Sequence, residues 1–154
     1  MNIQKLSNKK EILSVATFFS NKWGIPLQAY IDSMQESLKS NTGVPAWYYI
    51  KDKGNIIAGF GIIENDFHKR KDLTPNICAL YVTEPYQHKG IAKKLLNHAC
   101  LELQNHNIQD VYLITTHDKF YERCGFSFYG EIEEDDGSII RCYHKQTKEN
   151  TLEK

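Results

Sequence analysis

The sequence predicts an α/β chain of the α+β type: a mixed, mostly antiparallel central sheet of about six to seven strands with helices on both faces. Three observations predict it. Two pairs of strand-like runs are each joined by a tight turn, which makes them antiparallel neighbours. A further apolar run leads through a glycine turn and a helical stripe into another apolar run. That is a β-α-β unit, with parallel strands and a right-handed crossing. Two amphipathic stretches near the N-terminus carry apolar stripes that need a sheet to cover.

Taken in order, Ile3 to Leu6 is long enough for an edge strand only. From Lys9, the residues Ile12, Leu13, Ala16, Phe19 and Trp23 fall near one helical face, with Ser7 or Asn8 as cap and Gly24 as stop. Pro26 suits the first turn of a second helix, whose stripe is Leu27, Tyr30, Ile31, Met34 and Leu38. Trp47 to Lys51 and Ile56 to Glu64 form a hairpin about Asp52-Lys53-Gly54-Asn55. Gly59 and Gly61 inside the second strand mark a bulge or a close backbone approach. Gly54 and Gly59 have the spacing of a nucleotide-binding loop, but Phe60 stands where its lysine belongs, so that reading fails. The charged segment from Glu64 to Asp72 reads as a loop.

The central unit follows. Ile77 to Val82 is a strand, Gln87 to Ala92 a small-residue turn, and Ile91, Leu95, Leu96, Ala99 and Leu103 a helical stripe reaching about Asn105. Such a strand-turn-helix aims unpaired N–H groups and the positive end of a helix dipole at one point, which suits phosphate. Val111 to Thr116 is the next strand, Asp118 to Cys124 a short helix, and Phe126 to Glu133 and Ser138 to His144 a final hairpin about Asp135-Asp136-Gly137. The tail from Lys145 reads as polar and frayed.

Length and charge narrow the function. The 154 residues fit one domain, taken as 1–145 with a polar tail over 146–154. The 19 basic and 19 acidic residues cancel, which argues against a nucleic-acid binder. No apolar run reaches the length of a membrane span, and the first residues lack the apolar core of a signal peptide. A cytoplasmic protein is expected. Cys78, Cys100, Cys124 and Cys142 are widely spaced and read as small buried residues. No H-x-x-x-H or C-x-x-C pairing is present, so no metal is expected.

Gln87-His88-Lys89-Gly90-Ile91-Ala92 resembles the Q/R-x-x-G-x-G/A pyrophosphate loop of the GCN5-related N-acetyltransferases. Phe120-Tyr121-Glu122-Arg123-Cys124-Gly125-Phe126 resembles the same family's F-Y-x-x-x-G-F, in the right order and spacing. The resemblance covers roughly Trp47 to His144. It implies the acyl-CoA N-acyltransferase fold, with the central strand splayed from the Val111 strand to admit the CoA arm. It implies acetyl-CoA as cosubstrate and a primary amine as acceptor, with a small molecule the expectation. An acceptor on a protein N-terminus or lysine, or a domain that binds acyl-CoA without turnover, are the rival readings. A homodimer is compatible with all three; nucleic acid and membrane are not expected partners.

Four tasks follow from that chemistry: hold CoA, polarise the carbonyl, free the amine's lone pair and protonate the thiolate. The resemblance assigns the first to Gln87, His88, Lys89, Gly90, Ile91, Ala92 and Lys93, with either lysine adding charge. It assigns the second to main-chain groups of Leu80, Tyr81 and Val82. Tyr121 becomes the general acid, because a phenol stays protonated at neutral pH. The base is open: His117, Asp66, Glu64 and water relay are the candidates, since Ile114 or a threonine stands where some relatives carry a glutamate. The two N-terminal helices flank the acceptor in this family, so Trp23, Tyr30 and Met34 are either substrate-facing or core. The acidic run from Glu131 to Asp136 either attracts a cationic amine or is a solvated turn.

Overall fold

The computed structural model describes residues 1–148. Its elements are β1 (Ile3–Lys5), α1 (Lys9–Trp23), α2 (Leu27–Lys39), β2 (Ala46–Asp52), β3 (Asn55–Ile63), β4 (Asn76–Val82), a 3₁₀ turn (Glu84–Tyr86), α3 (Ile91–Asn105), β5 (Asp110–Thr115), α4 (Lys119–Arg123), β6 (Ser127–Glu133) and β7 (Ile139–Gln146). Among the described residues the strands form one mixed sheet in the hydrogen-bonded order β1-β2-β3-β4-β5-β7-β6. No helix there is long and apolar enough to cross a membrane. The chain divides into two compact units, Met1–Ile62 with Ala79–Leu95, and Ile63–Cys78 with the residues from Leu96 onward.

In the first unit, Asn8 caps α1 and Glu11 returns the bond, a reciprocal box that satisfies the N-terminal donors. Gly24 ends the helix at φ 69°, with its N–H on Ser20 O at 2.9 Å. Pro26 stands just before α2 and not inside its first turn. Lys53 and Gly54 both take positive φ (53° and 83°), the backbone that matches a two-residue hairpin to the strand twist.

The core of this unit is aromatic. Phe19, Tyr30 and Trp47 meet at ring-centroid distances of 5.1–5.8 Å, and Trp47 also reaches Ser33 Oγ at 2.9 Å. Truncating a buried ring of this kind to alanine typically costs about 3–5 kcal/mol. Tyr30 and Met34 are buried and belong to this core, whereas Trp23 is 44% exposed. The glycines of β3 are close approaches. A Cβ on Gly59 would lie 2.7 Å from Tyr48 O and 2.8 Å from Phe19 Cζ; one on Gly61 would lie 2.5 Å from the Trp47 ring. The register shift falls elsewhere, between Ile50 and Lys51, and leaves Ile57 as the extra residue of β3. Its carbonyl accepts the Thr83 N–H at 2.8 Å.

In the second unit, β4 and β5 run parallel and meet at Asn76↔Tyr112, as the β-α-β reading requires. β5, β7 and β6 pair antiparallel. The charged segment before β4 has no helix or strand of its own, yet it is anchored on His68, which is fully buried. His68 Nδ1 accepts the Arg70 N–H at 3.2 Å, so its Nε2–H donates to Asn76 Oδ1 at 2.6 Å. Asn76 Nδ2 in turn donates to Leu73 O at 2.7 Å.

The C-terminal strand corrects one expectation. Lys145 is not frayed: it pairs with Val111, and β7 runs through Gln146. Thr147 is buried, with its N–H on Gln109 O and its hydroxyl on Ile108 O. Polar side chains misled the reading, because the backbone here completes the ladder of β5. The rest of the expected tail, 149–154, lies outside the described residues. All four cysteines are buried, as expected.

Gly61→Ala should destabilise the fold by about 1–3 kcal/mol, because its methyl overlaps a ring that is itself packed against Phe19 and Tyr30. Urea denaturation should show a lower midpoint with an unchanged slope. A midpoint equal to that of the wild type would mean that β3 is not held against Trp47.

Candidate active site

In the first unit, β4 departs from regular strand geometry at Ala79, whose φ is +57°. Alanine rarely enters this left-handed region. Ala79 O accepts the Trp23 indole N–H at 3.2 Å. Leu80 and Tyr81 are half-buried and Val82 is buried. The Tyr81 ring lies against Phe18, centroids 5.7 Å apart, and the Lys22 ammonium sits 4.7 Å over its face.

Beyond β4 the 3₁₀ turn closes with Tyr86 N–H on Thr83 O and Gln87 N–H on Glu84 O. The Gln87 side chain turns back, its amide donating to Val82 O at 2.8 Å. Gln87 therefore ties the end of the strand to the turn with its side chain. His88 and Gly90 both have positive φ, 63° and 80°. Alternating backbone signs of this kind point successive N–H groups into one concavity, an anion nest. Lys94 N–H reaches Gly90 O at 3.1 Å, so the helical ladder starts at Gly90. The N–H groups of Ile91, Ala92 and Lys93 thus belong to the first turn and have no partner within the helix. That turn carries Lys93 and no acidic residue. A Cβ built on Gly90 meets nothing within 4 Å, so the space before the nest is open. Lys89 is exposed, with Nζ 5.7 Å from the Tyr86 ring. These features suit a diphosphate.

In the second unit, α4 presents Tyr121. Asp118 caps the helix start through Lys119 N–H at 2.5 Å. Its end is a Schellman closure: Phe126 N–H on Tyr121 O at 3.0 Å and Gly125 N–H on Glu122 O at 3.1 Å, with Gly125 at φ 89°. The expected left-handed glycine is therefore present. Lys145 Nζ adds a bond to Cys124 O at 3.0 Å. The Tyr121 ring is buried among Phe120, Phe126 and Tyr143. Burial, reinforced by the Cys124 thiol, pushes the phenol up to about 12, against a smaller opposing pull from the Thr115 hydroxyl. Thr115 Oγ1 also accepts the His117 N–H at 2.9 Å. Thr115 thus joins the two predicted residues Tyr121 and His117. Sequence reasoning did not single it out, because one threonine at a strand end carries no signal.

His117 itself is exposed. Asp66 lies in the segment that His68 anchors and is half-buried. Burial, then the nearby Glu134 carboxylate, raise it from 3.8 to about 6. Glu64 is exposed, and its carbonyl accepts the Thr74 hydroxyl at 2.7 Å. In the acidic run, Glu133 pairs with Lys69 and Asp136 holds the Ser138 N–H and hydroxyl. Those partners fit a hairpin turn tied to its neighbours.

The acetyltransferase (GNAT) domain model matches residues 45–128. No curated protein matches the sequence. Among solved structures, an aminoglycoside 6'-N-acetyltransferase complexed with coenzyme A is similar at a TM-score of 0.74 and 14% identity, covering 97% of this chain and 99% of that one. YncA of Salmonella typhimurium with its cofactor acetyl-CoA gives 0.69 and 12%, covering 98% and 97%. A spermidine N-acetyltransferase SpeG variant from Vibrio cholerae gives 0.69 and 15%, covering 96% and 95%.

The Asp66 carboxyl yields a pH prediction. Its folded value of about 6 exceeds its ordinary 3.8, so the proton binds the folded state more tightly. The associated stability is whole below about 3.8 and is lost as pH rises through about 6. Asp66→Asn should therefore be more stable than the wild type at pH 7, by about 1–3 kcal/mol. Melts at pH 7 and pH 4 should show the gain shrinking at the lower pH. A gain equal at both would place its origin elsewhere.

Proposed function

Because this chain belongs to the GNAT acetyltransferase family, an acetyl-CoA-dependent N-acetyltransferase, we propose that it acetylates a primary amine of a small molecule by direct attack in a ternary complex. The observation that carries the reading is the nest at His88–Gly90 opening onto a helix start with no acidic residue. The acceptor class is supported by the aminoglycoside and spermidine enzymes among the structural neighbours. The catalytic unit is taken as one domain over 1–145. A cytoplasmic location belongs to the same reading, because its cosubstrate is an intracellular thioester.

The assignments follow the chemistry. The N–H groups from His88 to Lys93 hold the diphosphate, with Lys89 and Lys93 adding charge. Main-chain groups of Leu80, Tyr81 and Val82 hold the pantetheine amides and polarise the acetyl carbonyl. The amine nitrogen forms its bond to the carbonyl carbon, the carbon–sulfur bond breaks, and the nitrogen loses one proton as the sulfur gains one. Tyr121 donates to the sulfur. His117, Asp66 or a water relay accepts from the amine, and Asp66 near pH 6 is matched to that task. The reading calls on no metal.

Calorimetry with acetyl-CoA tests the nest. Gly90→Asp and Gly90→Asn carry the same backbone strain, about 1–2 kcal/mol, but only the first adds negative charge. Binding should be lost in Gly90→Asp and weakened far less in Gly90→Asn. Equal affinities in two folded variants would move the diphosphate elsewhere.

Thiol release over polyamines, amino acids, aminoglycosides and peptides identifies the acceptor. On that acceptor Tyr121→Phe should lower kcat by about 10² to 10⁴-fold with little change in KM for acetyl-CoA. Wild-type kcat in the folded variant, where chemistry limits the rate, would remove Tyr121 from the mechanism. A protein that binds acetyl-CoA and turns over none of these amines would be an acyl-CoA sensor.

A further inference from the structure

Ala79 takes φ +57° in the middle of β4. Glycine, asparagine or aspartate would enter this region with a local reason; alanine has none. Its conformation is therefore imposed by surroundings, and such outliers gather where a backbone is being aimed. The Ala79 carbonyl accepts the Trp23 indole N–H at 3.2 Å.

Trp23 is the last residue of α1, and that end is firmly built. Gly24 N–H closes on Ser20 O at 2.9 Å, and Ser20 Oγ donates to Ile25 O at 2.7 Å. The same last turns of α1 also hold Tyr81, two residues further on. Phe18 packs on the Tyr81 ring and Lys22 lies over it. Leu80 therefore sits between two residues that are both fastened to α1.

We propose that Trp23 is a positioning residue: its indole N–H holds the left-handed backbone at Ala79 and so aims the main-chain groups of Leu80 to Val82 at the acyl group. The inference rests on the acetyl-transfer reading for its consequence but not for its geometry. It separates Trp23 from Tyr30 and Met34, which are core, and gives the exposed indole a role other than a platform for the acceptor.

Trp23→Phe removes the N–H and keeps an aromatic ring at a site that is already 44% exposed. Two readouts decide. The first is the ¹³C shifts of Ala79 Cα and Cβ, which report left-handed against extended backbone. The second is steady-state kinetics. The expected result is Ala79 shifts displaced toward extended values, kcat lowered about tenfold, and KM for acetyl-CoA within about threefold of wild type, since a misaimed N–H costs most in the transition state. Unchanged Ala79 shifts would overturn the proposal. So would displaced shifts with wild-type kcat, and so would a rise confined to the amine's KM, the mark of an acceptor platform. Should Trp23→Phe fail to fold, solvent exchange of the wild-type indole N–H decides, with slow exchange expected and exchange at the rate of an open indole overturning it. A wild-type protein that releases no thiol with any amine would sink the acetyl-transfer reading, while the Ala79 shifts would still judge Trp23.

Discussion

A strand that serves a ligand with its own amide groups must keep them out of its ladder and still hold them still. Ordinary β geometry does the opposite: it points each N–H at a neighbouring strand and leaves the backbone satisfied. Under the acetyl-transfer reading β4 meets this conflict, and it carries one residue outside the strand region of backbone space, Ala79. Side chains of α1 meet the strand on either side of that residue's peptide. The indole of Trp23 takes the carbonyl, and Phe18 and Lys22 pin the ring of Tyr81. At the strand's end the Gln87 amide takes the Val82 carbonyl and Ile57 O takes the Thr83 N–H. These ties fix the end of the strand that leads into the turn at Gly90.

The second unit shows the same economy with polar groups. The segment before β4 is dense in charge and has no regular structure, and such segments usually wander. Here one imidazole organises it. His68 accepts from Arg70 N–H on one nitrogen and donates to Asn76 on the other, and Asn76 passes a bond to Leu73 O. A buried histidine with both nitrogens used in opposite senses fixes its own tautomer. Its neighbours are thereby fixed too. Asp66 gains from this a rigid, partly desolvated position beside Glu134, which is what raises it.

Much of this was legible in the sequence, and what was not has a common cause. The order of elements could be read from apolar periodicity, and Gly90 and Gly125 announced left-handed turns because glycine is the residue that such turns select. Ala79 and His88 adopt the same backbone without announcing it, since their side chains do not demand it and only the finished surroundings impose it. His68 and Lys145 were hidden for a related reason. Each is polar within a polar stretch, and its importance lies in a partner far away in sequence: Asn76 and Glu134 for one, Cys124 and Val111 for the other. Trp23 stood within reach of sequence reasoning as one of three candidate side chains, but which of the three left the core depended on how α1 ended.

Tyr121 shows how the packing constrains the chemistry. Burial raises its phenol to about 12, well above an alkyl thiol such as cysteine at about 8.5. Complete transfer of its proton to a thiolate of that basicity would be uphill by roughly 5 kcal/mol. Standing alone, a buried phenol is thus a poor acid for a good leaving group. The same burial makes it a strong, fixed hydrogen-bond donor, held by the Schellman closure of α4 and by the ring of Phe126. Under the acetyl-transfer reading the two facts fit one role. Tyr121 stabilises charge as it develops on sulfur, and its proton moves only as it is replaced through the group that accepts from the amine, so that no phenolate stands among the rings of Phe120, Phe126 and Tyr143. The proton that ends on the thiol is then the phenol's, made good by the one the amine gives up, and the phenol's burial disfavours a free phenolate while keeping the donor in place.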